Sequence, residues 1–129
     1  MSLQSAPFHH DVAEGPAANA YWVTADDEVR LRFAHWPLEN AKGPTKGTVL
    51  LFPGRTEYVE KYGRAAADFA ARGYAMIAVD WRGQGLADRM VDPRYIGYVE
   101  TFDDFQRDVA AVLTALSELD LPQPWHLLG

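Results

Sequence analysis

The sequence predicts an α/β fold: a doubly wound, mostly parallel sheet entered through an antiparallel hairpin. Three observations carry this. Residues 48–52 and 75–79 are unbroken apolar runs of strand length, as parallel strands covered on both faces require. Each is followed by a segment whose apolar residues recur at three- and four-residue steps, the helical period. Ahead of them, residues 29–36 alternate Val29, Leu31 and Phe33 with Arg30 and Arg32, the two-residue period of a half-buried strand.

In chain order, residues 1–19 carry Pro7, Gly15 and Pro16 without periodicity and read as an extended or loosely docked arm. Its His9-His10-Asp11 cluster reads as solvated, because adjacent histidines point apart and no further ligand follows at metal-binding spacing. Residues 20–129 read as the N-terminal part of a single α/β domain. Residues 21–24 are a short strand, 25–28 a polar turn and 29–36 the returning strand of the hairpin. Residues 37–47 hold Pro37, Gly43, Pro44 and Gly47 and read as a loop.

After the 48–52 strand, Val59, Tyr62, Ala66, Phe69 and Ala70 form a helical stripe, and Gly73 is placed to end it. Beyond the 75–79 strand, Phe102, Phe105, Val109, Val112, Leu113, Leu116 and Leu119 form a second stripe. Thr101 is its expected N-cap, with Asp103 and Asp104 favouring the positive helix end. Pro122 and Pro124 stop it before a third parallel strand at 125–128, in which His126 reads as a buried core histidine. Strand, helix, strand, helix, strand implies two right-handed crossovers in series.

Composition narrows the function. A chain of 129 residues fits one compact domain. With 12 basic against 18 acidic residues the net charge is −6, and the basic residues stand singly, which argues against nucleic acid held through its phosphates. At 48% hydrophobic and 23% charged, the chain folds around a core rather than staying disordered. No apolar run approaches the roughly 20 residues of a membrane span, and no basic-then-apolar leader opens the chain. The expectation is a cytoplasmic protein, with peripheral membrane contact left open. Cysteine is absent, which removes disulfides, thiolate metal sites and cysteine nucleophiles. Serine occurs only as Ser2, Ser5 and Ser117.

Ligands of open α/β sheets bind beyond the carboxyl ends of the strands. The first such segment is Pro53-Gly54-Arg55, a sharp, donor-poor bend after which the N–H of Arg55 can face a developing oxyanion. Gly54 and Arg55 are therefore the candidate substrate-binding positions. The second segment runs from Asp80 to Arg89. A dinucleotide-binding glycine motif fails there, because Gly83-x-Gly85 is followed at the third position by Asp88. It reads as a tight loop in which Asp80 or Asp88 pairs with Arg82 or Arg89. Tyr58, Trp81, Tyr95, Ile96 and Tyr98 are loop aromatics that either rim a site or simply pack.

Leu50-Leu51-Phe52-Pro53-Gly54-Arg55-Thr56-Glu57-Tyr58, Arg72-Gly73-Tyr74, Asp80-Trp81-Arg82-Gly83-Gln84-Gly85 and Trp125-His126-Leu127-Leu128-Gly129, in this order, resemble the α/β-hydrolase superfamily. Within it they are most similar to the monoacylglycerol lipase and lysophospholipase group of serine hydrolases, over about the first half of that fold. The resemblance implies that Arg55 supplies an oxyanion-hole N–H, with Pro53 standing where many members have His. It implies a mainly structural role for the Asp80-x-Arg82-Gly83-x-Gly85 stretch.

Gly129 matches the first glycine of the G-x-S-x-G nucleophile elbow, so the Ser, Asp and His of the triad would all follow this chain. Neither Asp80 nor His126 substitutes for them. The resemblance thus implies a carboxylic-ester hydrolase acting on a small ester or lysolipid, needing no cofactor or metal, whose sheet is completed by a C-terminal half. Residues 1–129 alone are expected to be inactive. Two alternatives stay open: a non-catalytic binding module using half the fold, or hydrolysis of epoxides, haloalkanes or C–C bonds in the same fold.

Overall fold

A computed structural model of the chain describes residues 3–38, 45–54, 57–88 and 102–129. Its centre is a mixed sheet of six strands: β1 (Gln4–Ser5), β2 (Asn19–Thr24), β3 (Arg30–Trp36), β4 (Gly47–Leu51), β5 (Tyr74–Asp80) and β6 (Trp125–Leu128). They lie in the order β1-β2-β3-β5-β4-β6. β4 pairs in parallel with both β5 and β6, while β1, β2 and β3 extend the sheet antiparallel beyond β5. The apolar runs thus became the parallel strands and the alternating segment became the hairpin.

Helix α1 (Gly63–Ala71), preceded by a 3-10 turn at Val59–Tyr62, covers one face of the sheet. Val59 and Ala66 pack there against Trp36, Leu51, Met76 and Ala78. Gly73, at φ +93°, closes the helix where left-handed backbone is needed. Helix α2 (Phe102–Leu116) covers the other face, where Val112, Ala115 and Leu116 pack against Leu31, Phe33, Leu50, Ile77 and Val79. Thr101, its expected N-cap, lies outside the described residues. Leu113, expected in the apolar stripe, is exposed instead, because the buried stripe runs through Asp108, Val112 and Ala115.

The N-terminal segment is extended and pinned rather than loose. Gln4 and Ser5 pair with Trp22 and Tyr21, Ala6 N–H donates to Ala20 O at 2.9 Å, and the Trp36 indole donates to Pro16 O at 3.0 Å. Arg32, expected outward by alternation, is buried at 1% exposure, because the Val59–Tyr62 turn covers its face. His126 differs from expectation in the opposite sense. β6 is an edge strand among the described residues, so His126 is exposed, its ring 5.8 Å from that of Tyr74. Leu127 and Leu128 on the same strand are 72% and 44% exposed.

Candidate active site

The carboxyl ends of β4, β5 and β6 meet at one end of the sheet. Leu51 lies opposite both Ala78 and Leu128, and the Phe52 N–H donates to Leu128 O at 3.0 Å, carrying the parallel ladder one residue past the strand. Pro53-Gly54 and Gly129 therefore leave the sheet side by side. Gly54 is exposed, and a Cβ built on it meets no described atom within 4 Å. Its φ is not left-handed. Among the described residues, this glycine offers open space beside the strand ends, rather than the special backbone that a bend would demand. Arg55 lies outside the described residues, as do Tyr95, Ile96 and Tyr98.

Trp81, the residue after β5, reaches across to this bend. Its indole N–H donates to Pro53 O at 2.7 Å. The ring stands 5.3 Å from Phe52 and 4.7 Å from Phe105, both tilted or edge-on, the preferred geometries for aromatic pairs. Tyr58 is half-buried at the other end of the connection, with the Lys61 ammonium 5.2 Å from its ring.

Beneath the bend lies a buried ionic cluster. The Arg32 guanidinium donates to Asp80 Oδ2 at 2.7 Å, to both Glu60 oxygens at 2.7 Å and to Pro7 O at 2.8 Å. Asp80 also accepts from Val59 N–H and Leu86 N–H at 3.0 Å, and Glu60 accepts from His9 N–H at 2.8 Å. Burial pushes the Asp80 carboxyl above its ordinary pKa, although Arg32 and the Leu86 amide oppose it. Burial pushes Glu60 the same way, but the Arg32 and His9 hydrogen bonds outweigh it and hold Glu60 below its ordinary value. With 1% exposure and every contact made within the chain, Asp80 has no open position for substrate; it organises the loops.

A second cluster braces the 80–88 loop. Arg82 donates to Asp108 from its backbone N–H at 3.1 Å, from Nε at 2.9 Å and from Nη2 at 2.8 Å, and to Asp27 from Nη1 at 2.7 Å. Burial pulls the guanidinium pKa down, but the two carboxylates more than offset this and raise it. Asp27, in turn, is held low by its Arg82 hydrogen bonds. Arg82 therefore does not pair locally with Asp80 or Asp88 as expected, while Arg89 lies outside the described residues. Asp80 pairs with Arg32 and Asp88 with Arg30, while Arg82 takes Asp27 and Asp108, partners from β3, the hairpin turn and α2. Sequence reading missed Asp108; the signal available for it was an acid one helical step from both Phe105 and Val112, inside the apolar stripe.

Among the described residues, no three His, Asp or Glu side chains converge as a metal site, and no helix is long and apolar enough to cross a membrane.

A hydrolase family model described as Serine aminopeptidase, S33, matches residues 43–129, which include three strands, two helices and the Pro53-Gly54 bend. The chain belongs to this S33 family of α/β hydrolases. Among its relatives, lysophospholipase L2 of Escherichia coli K12 is 29% identical over 103 residues, covering 80% of this chain and 28% of that protein. The probable lysophospholipase L2 of Haemophilus influenzae is 25% identical over 108 residues, covering 84% and 33%. The chain thus spans about a third of the length of the curated relatives it matches.

Solved structures share the fold. Est1E of Butyrivibrio proteoclasticus, with bound ferulic acid, superposes with a TM-score of 0.66 at 17% identity, over 84% of this chain and 41% of that one. A soluble variant of the Saccharomyces cerevisiae monoglyceride lipase superposes at 0.58 with 22% identity, over 98% and 34%.

Proposed function

We propose that the protein is a carboxylic-ester hydrolase, lysophospholipase-like or monoacylglycerol lipase-like, working through a Ser-His-Asp acyl-enzyme mechanism whose triad follows Gly129. The observation that carries this reading is the pairing of β4 with β6. It brings the open Pro53-Gly54 bend beside Gly129, the first glycine of the expected nucleophile elbow. The lysophospholipase relatives support an ester substrate with a single long acyl chain.

In this mechanism the elbow serine attacks the ester carbonyl carbon while the histidine takes its proton. The tetrahedral oxyanion is held by the N–H of Arg55 and by that of the residue after the serine. Collapse expels the alcohol, protonated by the same histidine, and leaves an acyl-serine that water hydrolyses. Losing one oxyanion donor costs about 2.7–4 kcal/mol of transition-state stabilisation.

The test is fluorophosphonate labelling of the protein with peptide mapping, alongside release of fatty acid from lysophosphatidylcholine and monoacylglycerol. One adduct on a serine following Gly129, with turnover, is the expected result. An adduct on Ser2, Ser5 or Ser117, or no adduct and no turnover, overturns the reading. Residues 1–129 alone are expected to hydrolyse neither substrate above a buffer blank.

A further inference from the structure

We propose that Trp81 is a positioning residue for hydrolysis, acting through the carbonyl oxygen of Pro53; this rests on the ester-hydrolase reading above. Pro53 lacks an N–H of its own and Gly54 lacks a side chain, so the Pro53-Gly54 segment has few groups by which it can be held. Its carbonyl accepts the Trp81 indole N–H at 2.7 Å from 28 residues away. A trans peptide is planar with C=O and N–H opposed, so anchoring the carbonyl orients the whole unit. Only the two dihedrals of Gly54 then separate the anchored plane from the N–H of Arg55.

The donor is itself fixed. Trp81 is held between Phe52 at 5.3 Å and Phe105 at 4.7 Å, so the indole cannot swing without breaking aromatic contacts on both sides. Its neighbour Asp80 holds the far end of the same connection, accepting Val59 N–H at 3.0 Å. Consecutive residues at the end of β5 thus clamp both ends of the segment between β4 and the Val59–Tyr62 turn. Packing alone would be served by any large aromatic at position 81. The N–H is the feature that packing leaves unexplained.

The experiment compares the wild-type protein, Trp81→Phe and a protein with Trp81 replaced by benzothienylalanine, which keeps the bicyclic shape and removes the N–H. If Trp81 positions the bend, kcat falls about tenfold in both variants while KM stays within about twofold. Inhibition by an arylboronic acid, which forms a tetrahedral adduct, weakens in parallel with kcat/KM. A merely structural residue would not move the boronate and kcat together while sparing KM. Should Trp81→Phe fail to fold, the benzothienylalanine protein decides alone. Unchanged kcat and boronate affinity in a folded variant overturn the positioning role and leave the hydrolase reading intact. Absence of turnover and of phosphonate labelling in the wild type overturns the hydrolase reading, and this role with it.

Discussion

Arg32 and Asp80 are direct register partners across β3 and β5, and their side chains form an ion pair of 2.7 Å with 1% and 0% exposure. A charged pair on the covered face of a sheet is costly to desolvate, and it persists only where further hydrogen bonds complete it. Glu60, Pro7 O, Val59 N–H and Leu86 N–H do so here. The pair thereby joins the N-terminal segment, the turn after the Pro53-Gly54 bend and the loop after β5 at one point.

Removing the cation should therefore cost far more than neutralising one anion. Arg32→Met leaves Asp80 and Glu60 buried without a counter-charge and is expected to destabilise the protein by about 3–5 kcal/mol. Asp80→Asn keeps the Arg32–Glu60 fork and should cost less. Urea unfolding of the two variants checks this, and an equal or inverted ranking would refute it.

Glu60 gives the cluster a pH signature. Its carboxyl is held below the ordinary 4.5, so the folded state binds fewer protons than the unfolded one in that range. Its contribution is complete above pH 4.5 and is lost as pH falls through the lower folded value. Asp80, pushed up by burial, works in the opposite direction, so the comparison must be made between wild type and Glu60→Gln. The difference in Tm between these two is expected to be large at pH 7 and to shrink steadily below about pH 4.5. A difference that stays constant to pH 3 would refute it.

The strands at 48–52 and 75–79 and their helices were legible because long apolar runs and helical stripes admit one reading. Arg32 was not. Alternation assigns a polar residue to solvent, and nothing local announces that a turn 28 residues on will cover it with Glu60. Arg82 failed similarly, its partners Asp27 and Asp108 being 55 and 26 residues distant. β1 has only two residues and no pattern that marks it as a strand. At the candidate site, the sequence located the Pro53-Gly54 bend through its position after a parallel strand, whereas the Trp81 hydrogen bond to it depends on tertiary contact.

Arg82 should not tolerate lysine. The guanidinium satisfies two carboxylates at once through Nε, Nη1 and Nη2, a fork that a single ammonium cannot reproduce. Arg82→Lys keeps the charge yet is expected to cost about 2 kcal/mol. Asp27→Asn should cost less, since Asp108 remains paired. Thermal melts at neutral pH rank the two, and a lysine variant as stable as wild type would rule out the brace.

Two glycines near the strand ends should respond to alanine in opposite ways. Gly85, at φ +50°, lies against Asp80, and a Cβ there would collide with the carboxyl group. Gly85→Ala must therefore displace Asp80 from Arg32 and strain the backbone, costing about 3 kcal/mol. Gly54 has no described atom near its Cβ position and no left-handed φ, so Gly54→Ala should leave stability within about 0.5 kcal/mol of wild type. That same space is where the proposed mechanism puts the reacting ester. The methyl group should then lower kcat/KM at least about tenfold by crowding the oxyanion position. Calorimetry and ester kinetics on both variants separate the effects. If Gly54→Ala retains full activity, the reacting ester does not lie at this bend.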